Sequence, residues 1–152
     1  MTQNDFPTID LLHGCNLDML GKRDPEHYGD LTLAELQSRV AERGIELGVR
    51  VQSFQTNHEG GLVEKIHELW DKTDGVIINP GAWTHYSYAI RDALEMVAAP
   101  VVEVHLSDIY AREQWRRHSV ISDVCENTIA GKGLQGYLEA LEWLSASLAR
   151  SP

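Results

Sequence analysis

The stretch Val101-Val102-Glu103-Val104-His105-Leu106-Ser107 decides how this chain folds. It is short, β-branched and nearly continuous in apolar residues, the pattern of a parallel strand covered on both faces. Two polar residues interrupt it, two positions apart. Alternate residues of a strand share a face about 6.6–7 Å apart, so Glu103 and His105 point the same way. A carboxylate buried inside a strand costs several kcal/mol unless it is paired. His105 is the expected partner: Glu103 accepts its Nδ1–H and leaves Nε2 toward a ligand. By itself such a pair is either a structural contact or part of a site. Its place at the carboxyl end of a strand favours the second, because ligands in open α/β sheets bind there.

Working outward, four more runs read as strands: 8–12 (TIDLL), 49–54 (VRVQSF), 74–79 (DGVIIN) and, more weakly, 127–131 (NTIAG). Helical patterns lie between them. Thr32 and Glu35 form a capping-box pattern ahead of Leu33, Leu36, Val40 and Leu47, and Gly48 closes that helix. Leu62, Ile66 and Leu69 make the apolar stripe of a second helix, with Asn57 as its cap. A third is expected over 84–97, and a last one carries Leu134, Tyr137, Leu138, Leu141, Leu144 and Leu148 on one face. Each crossover is long enough for a right-handed βαβ unit. The expected fold is α/β: a flavodoxin-like three-layer sandwich, a five-stranded parallel sheet with helices on both faces. With 152 residues and no repeat or linker, it reads as a single catalytic domain over 1–152.

Composition narrows the classes. Hydrophobic residues are 43% and charged residues 24%, which excludes a disordered or collagen-like chain. No apolar run is long enough to span a membrane, and MTQNDFPTID lacks the features of a signal peptide. Two cysteines, Cys15 and Cys125, make no disulfide framework, so the expected location is cytoplasmic. Thirteen Lys and Arg against 23 Asp and Glu give a net charge of −10. Such a surface repels nucleic acid and anionic membranes, so neither is an expected partner. It repels small anions too, except where cations gather, and Arg112, Arg116 and Arg117 do gather.

The loops after the strands carry the candidate chemistry. The first runs from His13 to Leu31, several times the usual length of about two to six residues. With Gly14, Gly21 and Gly29 among Lys22, Arg23, Asp24, Glu26 and His27, it is either a lid or an irregular excursion. Strand 3 ends in Asn79-Pro80-Gly81, a tight turn, and His85, Tyr88 and Asp92 then recur at helical spacing. If the segment after strand 4 is helical, Arg112 and Arg116 project together beside Ser107, either as a solvated basic face or as a carboxylate site. No GxGxxG or P-loop is present. Seven histidines show no HxxxH or CxxC spacing, so no metal is expected. The four lysines sit on polar segments unsuited to Schiff-base chemistry.

Five motifs together resemble type II 3-dehydroquinate dehydratase: HGCNLDMLGKRDPEHYG (13–29), QTNHEGGLVEKIH (55–67), INPGAWTHYSYAIRDA (78–93), VEVHLSDIYAREQWRRHS (102–119) and IAGKGLQGYLEAL (129–141). The resemblance implies anti elimination of water from 3-dehydroquinate to 3-dehydroshikimate through an enolate. It implies no metal or cofactor, and a homododecamer built as a tetramer of trimers. It makes Tyr28 the base at C2, with Arg23 as its activating neighbour and Arg112 as a second arginine nearby. Tyrosine ordinarily titrates near pH 10, so an adjacent cation is what fits it to that work. Asn16 is the residue holding a water on the enolate oxygen. His105 is the general acid for the C1 hydroxyl, oriented by Glu103. Asn79, His85, Leu106, Ser107 and Arg116 match substrate-binding positions, and Asp92 one that reaches a neighbouring subunit's site.

The sequence departs from the family pattern at several positions. His13-Gly14-Cys15-Asn16 stands where Asn-Gly-Pro-Asn is usual, which frees φ at Cys15 and is expected to loosen the seat of Asn16. Asp108 replaces an asparagine and is expected to place a negative charge near the substrate. Tyr86 and Tyr88 are larger than usual. Two other readings fit less of the chain. One is a paralogue acting on a related cyclic hydroxy-acid; the other is a flavodoxin-like anion-binding module without turnover.

Overall fold

The computed structural model describes residues 2–150. Five strands, β1 (Thr8–His13), β2 (Arg50–Gln55), β3 (Gly75–Asn79), β4 (Val101–His105) and β5 (Asn127–Ala130), form one sheet in the order β2-β1-β3-β4-β5. Every pairing is parallel. Each strand lies within a residue or so of the run expected from the sequence. The helices are α1 (Pro25–Tyr28), α2 (Leu33–Leu47), α3 (Glu59–Leu69), α4 (Tyr88–Glu95) and α5 (Leu134–Arg150).

Strand periodicity divides the core in two. Ile9, Leu11, Ile77, Val102 and Val104 pack with Leu36, Val40, Leu141 and Leu144 of α2 and α5. Leu12, Val76, Ile78 and Val101 pack with Leu62, Ile66, Ile90 and Leu94 of α3 and α4. Val101 faces α3 and α4, so the alternation puts Glu103 and His105 on that face as well. The three inner strands are buried along almost their whole length, as their unbroken apolar runs require. No helix of the described residues is long and apolar enough to cross a membrane.

Strand order reverses between β1 and β3, and the loops leaving that point form a crevice. There the two loops interlock. A Cβ on Gly14 would lie 2.1 Å from Pro80 O, and one on Gly81, whose φ is +65°, 2.6 Å from Cys15 O. Only glycine fits either place.

Three helix expectations need correction. The N-cap of α3 is His58, not Asn57. Asn57 is drawn instead to the β1 loop, where its Oδ1 accepts Asn16 N–H at 2.8 Å and its Nδ2 donates to Asp18 at 3.1 Å. The helix expected over 84–97 is two pieces. Gly81–His85 is a 3-10 turn, and α4 starts afresh where Ser87 Oγ accepts Ile90 N–H. Thr84, buried with its hydroxyl on Glu103, cannot serve as the cap. Arg112 and Arg116 do not share a helix either. Two 3-10 turns, Ile109–Ala111, started by the Asp108 carboxylate as its N-cap, and Gln114–Arg117, flank an Arg112 whose extended backbone ends the first of them.

Candidate active site

A cleft with about 530 Å³ of empty space, mouth included, opens at the carboxyl ends of β1, β3 and β4. Its floor comes from the strand ends: Asn16 beyond β1, Asn79 at the end of β3, and His105, Leu106 and Ser107 where β4 ends. Its walls come from Arg23 and Tyr28 on the β1 loop, His85 on the 3-10 turn, and Arg112 and Arg116 after β4. Three arginines line it and, among the described residues, no carboxylate does. In a chain of net charge −10 this is a local inversion that favours an anionic ligand.

Tyr28 is the centre of one wall. Arg23 Nη2 donates to its Oη at 2.8 Å and Arg112 Nη1 at 2.6 Å. The Arg23 guanidinium also lies 3.8 Å from the ring centroid, a cation–π contact on the same phenol. Helix α1 carries the tyrosine because Asp24 caps it, accepting Glu26 N–H, and Pro25 sets its first turn. Arg112 Nη1 reaches Ser107 Oγ as well, at 3.3 Å, so one nitrogen bridges the segment after β4 and the β1 loop.

His105 and Glu103 are paired as expected, but through the other ring nitrogen. Nε2 lies 2.5 Å from Glu103 Oε2, so Nδ1 is the nitrogen left for the cleft. The side chains start about 7 Å apart along the strand, and the more distal Nε2 spans that gap more easily. Glu103 is fully buried. Burial alone raises its carboxyl, but the hydrogen bond and charge of His105 and the hydroxyls of Ser122 and Thr84 outweigh it and hold the group at about 2. These hydroxyls, with that of Ser119, escaped the sequence reading, since a lone Ser or Thr in a loop carries no periodic signal.

His85 Nδ1–H donates to His118 O at 2.7 Å, leaving Nε2 as an acceptor. Burial, then the nearby His105 and Arg116, pull its titration below the ordinary histidine value, against the His118 bond. Trp115 stands edge-on to His85 at 5.2 Å, and the Arg116 guanidinium lies 4.2 Å from the Trp115 ring centroid. Glu113 holds Arg116 Nε from the other side at 2.7 Å. Asn79 Oδ1 accepts Gly81 N–H and its Nδ2 donates to the buried Tyr137 Oη at 2.8 Å.

The backbone of Asn16 is left-handed, φ 70°, one of the few places where a non-glycine residue accepts that conformation. The Asn57 bond fixes it, and Cys15 Sγ sits 3.8 Å from Pro80 O. This loop is therefore tied down, not loosened by the missing proline. Asp108 is also corrected: it is exposed, caps the Ile109–Ala111 turn through Tyr110 N–H, and does not line the cleft. Asp92, on α4, is exposed and outside its own chain's cleft.

The family model for class II dehydroquinases matches residues 7–145. The chain belongs to that family. This dehydroquinase is 53% identical to the 3-dehydroquinate dehydratase of Leptothrix cholodnii over 132 residues, 86% of this chain and 89% of the relative. It is 50% identical to that of Thermotoga maritima over 138 residues, 91% and 94% of the two chains. In structure it resembles the type II dehydroquinase of Propionibacterium acnes, with TM-score 0.89, 48% identity, and 91% and 96% coverage. A 3-dehydroquinate dehydratase-like protein from Bifidobacterium longum superposes with TM-score 0.71 at 36% identity, covering 93% and 98%.

Proposed function

We propose that this dehydroquinase removes water from 3-dehydroquinate by anti elimination to give 3-dehydroshikimate, with Tyr28 as base and His105 as acid. The observation that carries the reading is the phenol oxygen of Tyr28, which takes hydrogen bonds from both Arg23 and Arg112 in a cleft that also holds the His105–Glu103 pair. Charge-assisted bonds from two guanidiniums stabilise negative charge on that oxygen, which is the state a base needs. The phenolate takes the C2 proton, and the bonding pair moves into the C2–C3 enolate, whose charge resides on the former ketone oxygen. Asn16 supports the water that stabilises this oxygen. The enolate then collapses: the ketone re-forms, C1=C2 forms, and the C1–O bond breaks. The departing hydroxyl receives a proton from His105 and leaves as water. Tyr28 returns its proton and His105 regains one, so the cycle closes without a cofactor.

Arg116, His85, Asn79, Leu106 and Ser107 bind the substrate in this reading, the Leu106–Ser107 segment meeting its carboxylate. Three cations without a competing acid in the lining suit a hydroxy-acid ligand. The reaction serves aromatic biosynthesis or quinate breakdown, which share this step. We further propose a cytoplasmic homododecamer, a tetramer of trimers, with Asp92 completing a neighbour's site. The exposed Tyr86 and Tyr88, 59% and 64% accessible beside Asp92, are surface suited to such a contact. The free thiols Cys15 and Cys125 suit a reducing compartment.

The test follows enone absorbance from 3-dehydroquinate with the wild type and Tyr28→Phe, beside a mass measurement in solution. Turnover by the wild type and its loss on Tyr28→Phe, with binding retained, are expected. A folded wild type that produces no enone overturns the reading.

A further inference from the structure

We propose that Thr84, Ser119 and Ser122 are positioning residues for the elimination: their hydroxyls fill the lone pairs of Glu103, keep it from taking a proton, and thereby set His105 to deliver its proton from Nδ1. The proposal rests on the reading of His105 as the acid.

The count of acceptor sites carries it. An ionised carboxylate offers about four lone-pair positions. On Oε2, His105 Nε2 stands at 2.5 Å and Thr84 Oγ1 at 2.6 Å. On Oε1, Ser122 Oγ stands at 2.6 Å. Ser119 Oγ reaches both oxygens, at 3.1 and 2.9 Å, and Thr128 Oγ1 stands further off at 3.4 Å. Ser119 is oriented to donate, since its oxygen already accepts the backbone N–H groups of Ile121 and Ser122 at 3.2 Å. Val120 N–H in turn bonds Thr84 O at 2.7 Å, so the turn after β3 and the loop before β5 are joined behind the carboxylate. Glu103 is fully buried and holds donors at every site. A proton on it would have to displace one of them, forcing a hydroxyl to turn from donor to acceptor or depriving a buried Thr84 hydroxyl or His105 N–H of its partner.

The consequence falls on His105. Because Glu103 does not accept a proton, Nε2–H stays on Nε2 throughout the cycle. The proton that moves is on Nδ1, the nitrogen on the cleft side. It passes to the C1 hydroxyl oxygen as the C1–O electron pair goes to that oxygen, leaving water and a neutral imidazole. Recharging comes through the cleft, not from Glu103. This distinguishes the arrangement from one in which the carboxylate relays the proton. None of the three hydroxyl residues lines the cleft, so each acts through Glu103.

The test uses the full-length protein with ¹³C-labelled glutamate carboxyls and ¹⁵N-labelled histidine, with Ser122→Ala, Thr84→Val and the double variant. In the wild type, His105 is expected as the Nε2–H tautomer when neutral, and Glu103 as a carboxylate down to the lowest pH at which the fold persists. In the double variant the Glu103 signal is expected to titrate within the folded range, and the acid limb of kcat to rise by about one pH unit or more. KM is expected to stay within about twofold, and Ser122→Thr to restore the wild-type profile. An Nδ1–H tautomer in the wild type overturns the proposal without any variant, as does a double variant whose Glu103 signal and kcat profile match the wild type. Undiminished turnover by His105→Asn overturns the reading beneath it; wild-type turnover with the Nδ1–H tautomer overturns this proposal alone.

Discussion

Arg112 Nη1 lies 2.6 Å from Tyr28 Oη although 84 positions separate the two residues. The contact joins the segment after β4 to the β1 loop and makes the phenol oxygen the meeting point of two guanidiniums. Replacing Arg112 by Met leaves Arg23 in place and removes one charge-assisted bond. The loss expected is about 1.5–3 kcal/mol, or about 10- to 150-fold in kcat. Arg112→Lys is expected to recover little, because the shorter lysine side chain ends short of the Nη1 position that meets both Tyr28 and Ser107. Steady-state kinetics on both variants checks this; a full recovery by lysine contradicts it.

Tyr28→Phe keeps the ring under the Arg23 guanidinium and removes only the oxygen. A drop in kcat of about 10²–10⁴-fold with little change in substrate affinity is expected. Equilibrium titration beside single-turnover measurement separates the two quantities.

Gly14→Ala tests the interlock of the β1 and β3 loops. Its Cβ would stand 2.1 Å from a backbone oxygen, which cannot step aside as a side chain does. Overpacking of this kind costs about 1–3 kcal/mol or more. A lower melting temperature is expected together with reduced kcat, since the same loop carries Asn16.

His13 is fully buried, and neither ring nitrogen has a hydrogen-bond partner among the described residues. Burial lowers its titration from the ordinary histidine value to about 4. The unfolded chain therefore binds the proton more readily than the native one. Its influence on stability is constant above about pH 6.5 and turns against the fold as pH falls from there toward 4. A shift of this size corresponds to about 3 kcal/mol. Denaturant unfolding at pH 7 and pH 4 is expected to show a steeper acid loss for the wild type than for His13→Asn. Equal losses contradict the assignment.

Asp108→Asn is expected to leave kcat and KM within about twofold, the size of an ordinary surface change. The carboxylate serves the turn that follows it and does not line the cleft. A marked fall in KM would place the charge back beside the substrate.

The sheet was legible because its inner strands carry long apolar runs, and burial on both faces leaves few other readings of VVEVH or GVIIN. The pairing of Glu103 with His105 followed from the two-residue period of a strand. The nitrogen that makes the bond did not, since that depends on how far each ring atom reaches. Tyr28 drew its meaning from resemblance; no periodic pattern marks it, and only the folded loop brings two arginines to its oxygen. Asn57 and Asp108 were misread for a common reason. Each has a short polar side chain whose direction is set by whichever backbone N–H stands nearest. The cleft's arginines were visible as a group, yet through irregular turns and not the shared helix expected of them.

The groups proposed as base and acid are anchored differently. His105 belongs to a strand of the inner sheet, whereas Tyr28 rides on a helix of four residues in the β1 loop, only partly buried against the edge of the core. Substitutions at exposed positions of that short helix, such as Glu26, thus change the rate of proton removal while the layers beneath keep their melting behaviour. At those exposed positions catalytic speed and thermal endurance are separable traits, and selection can act on one without disturbing the other.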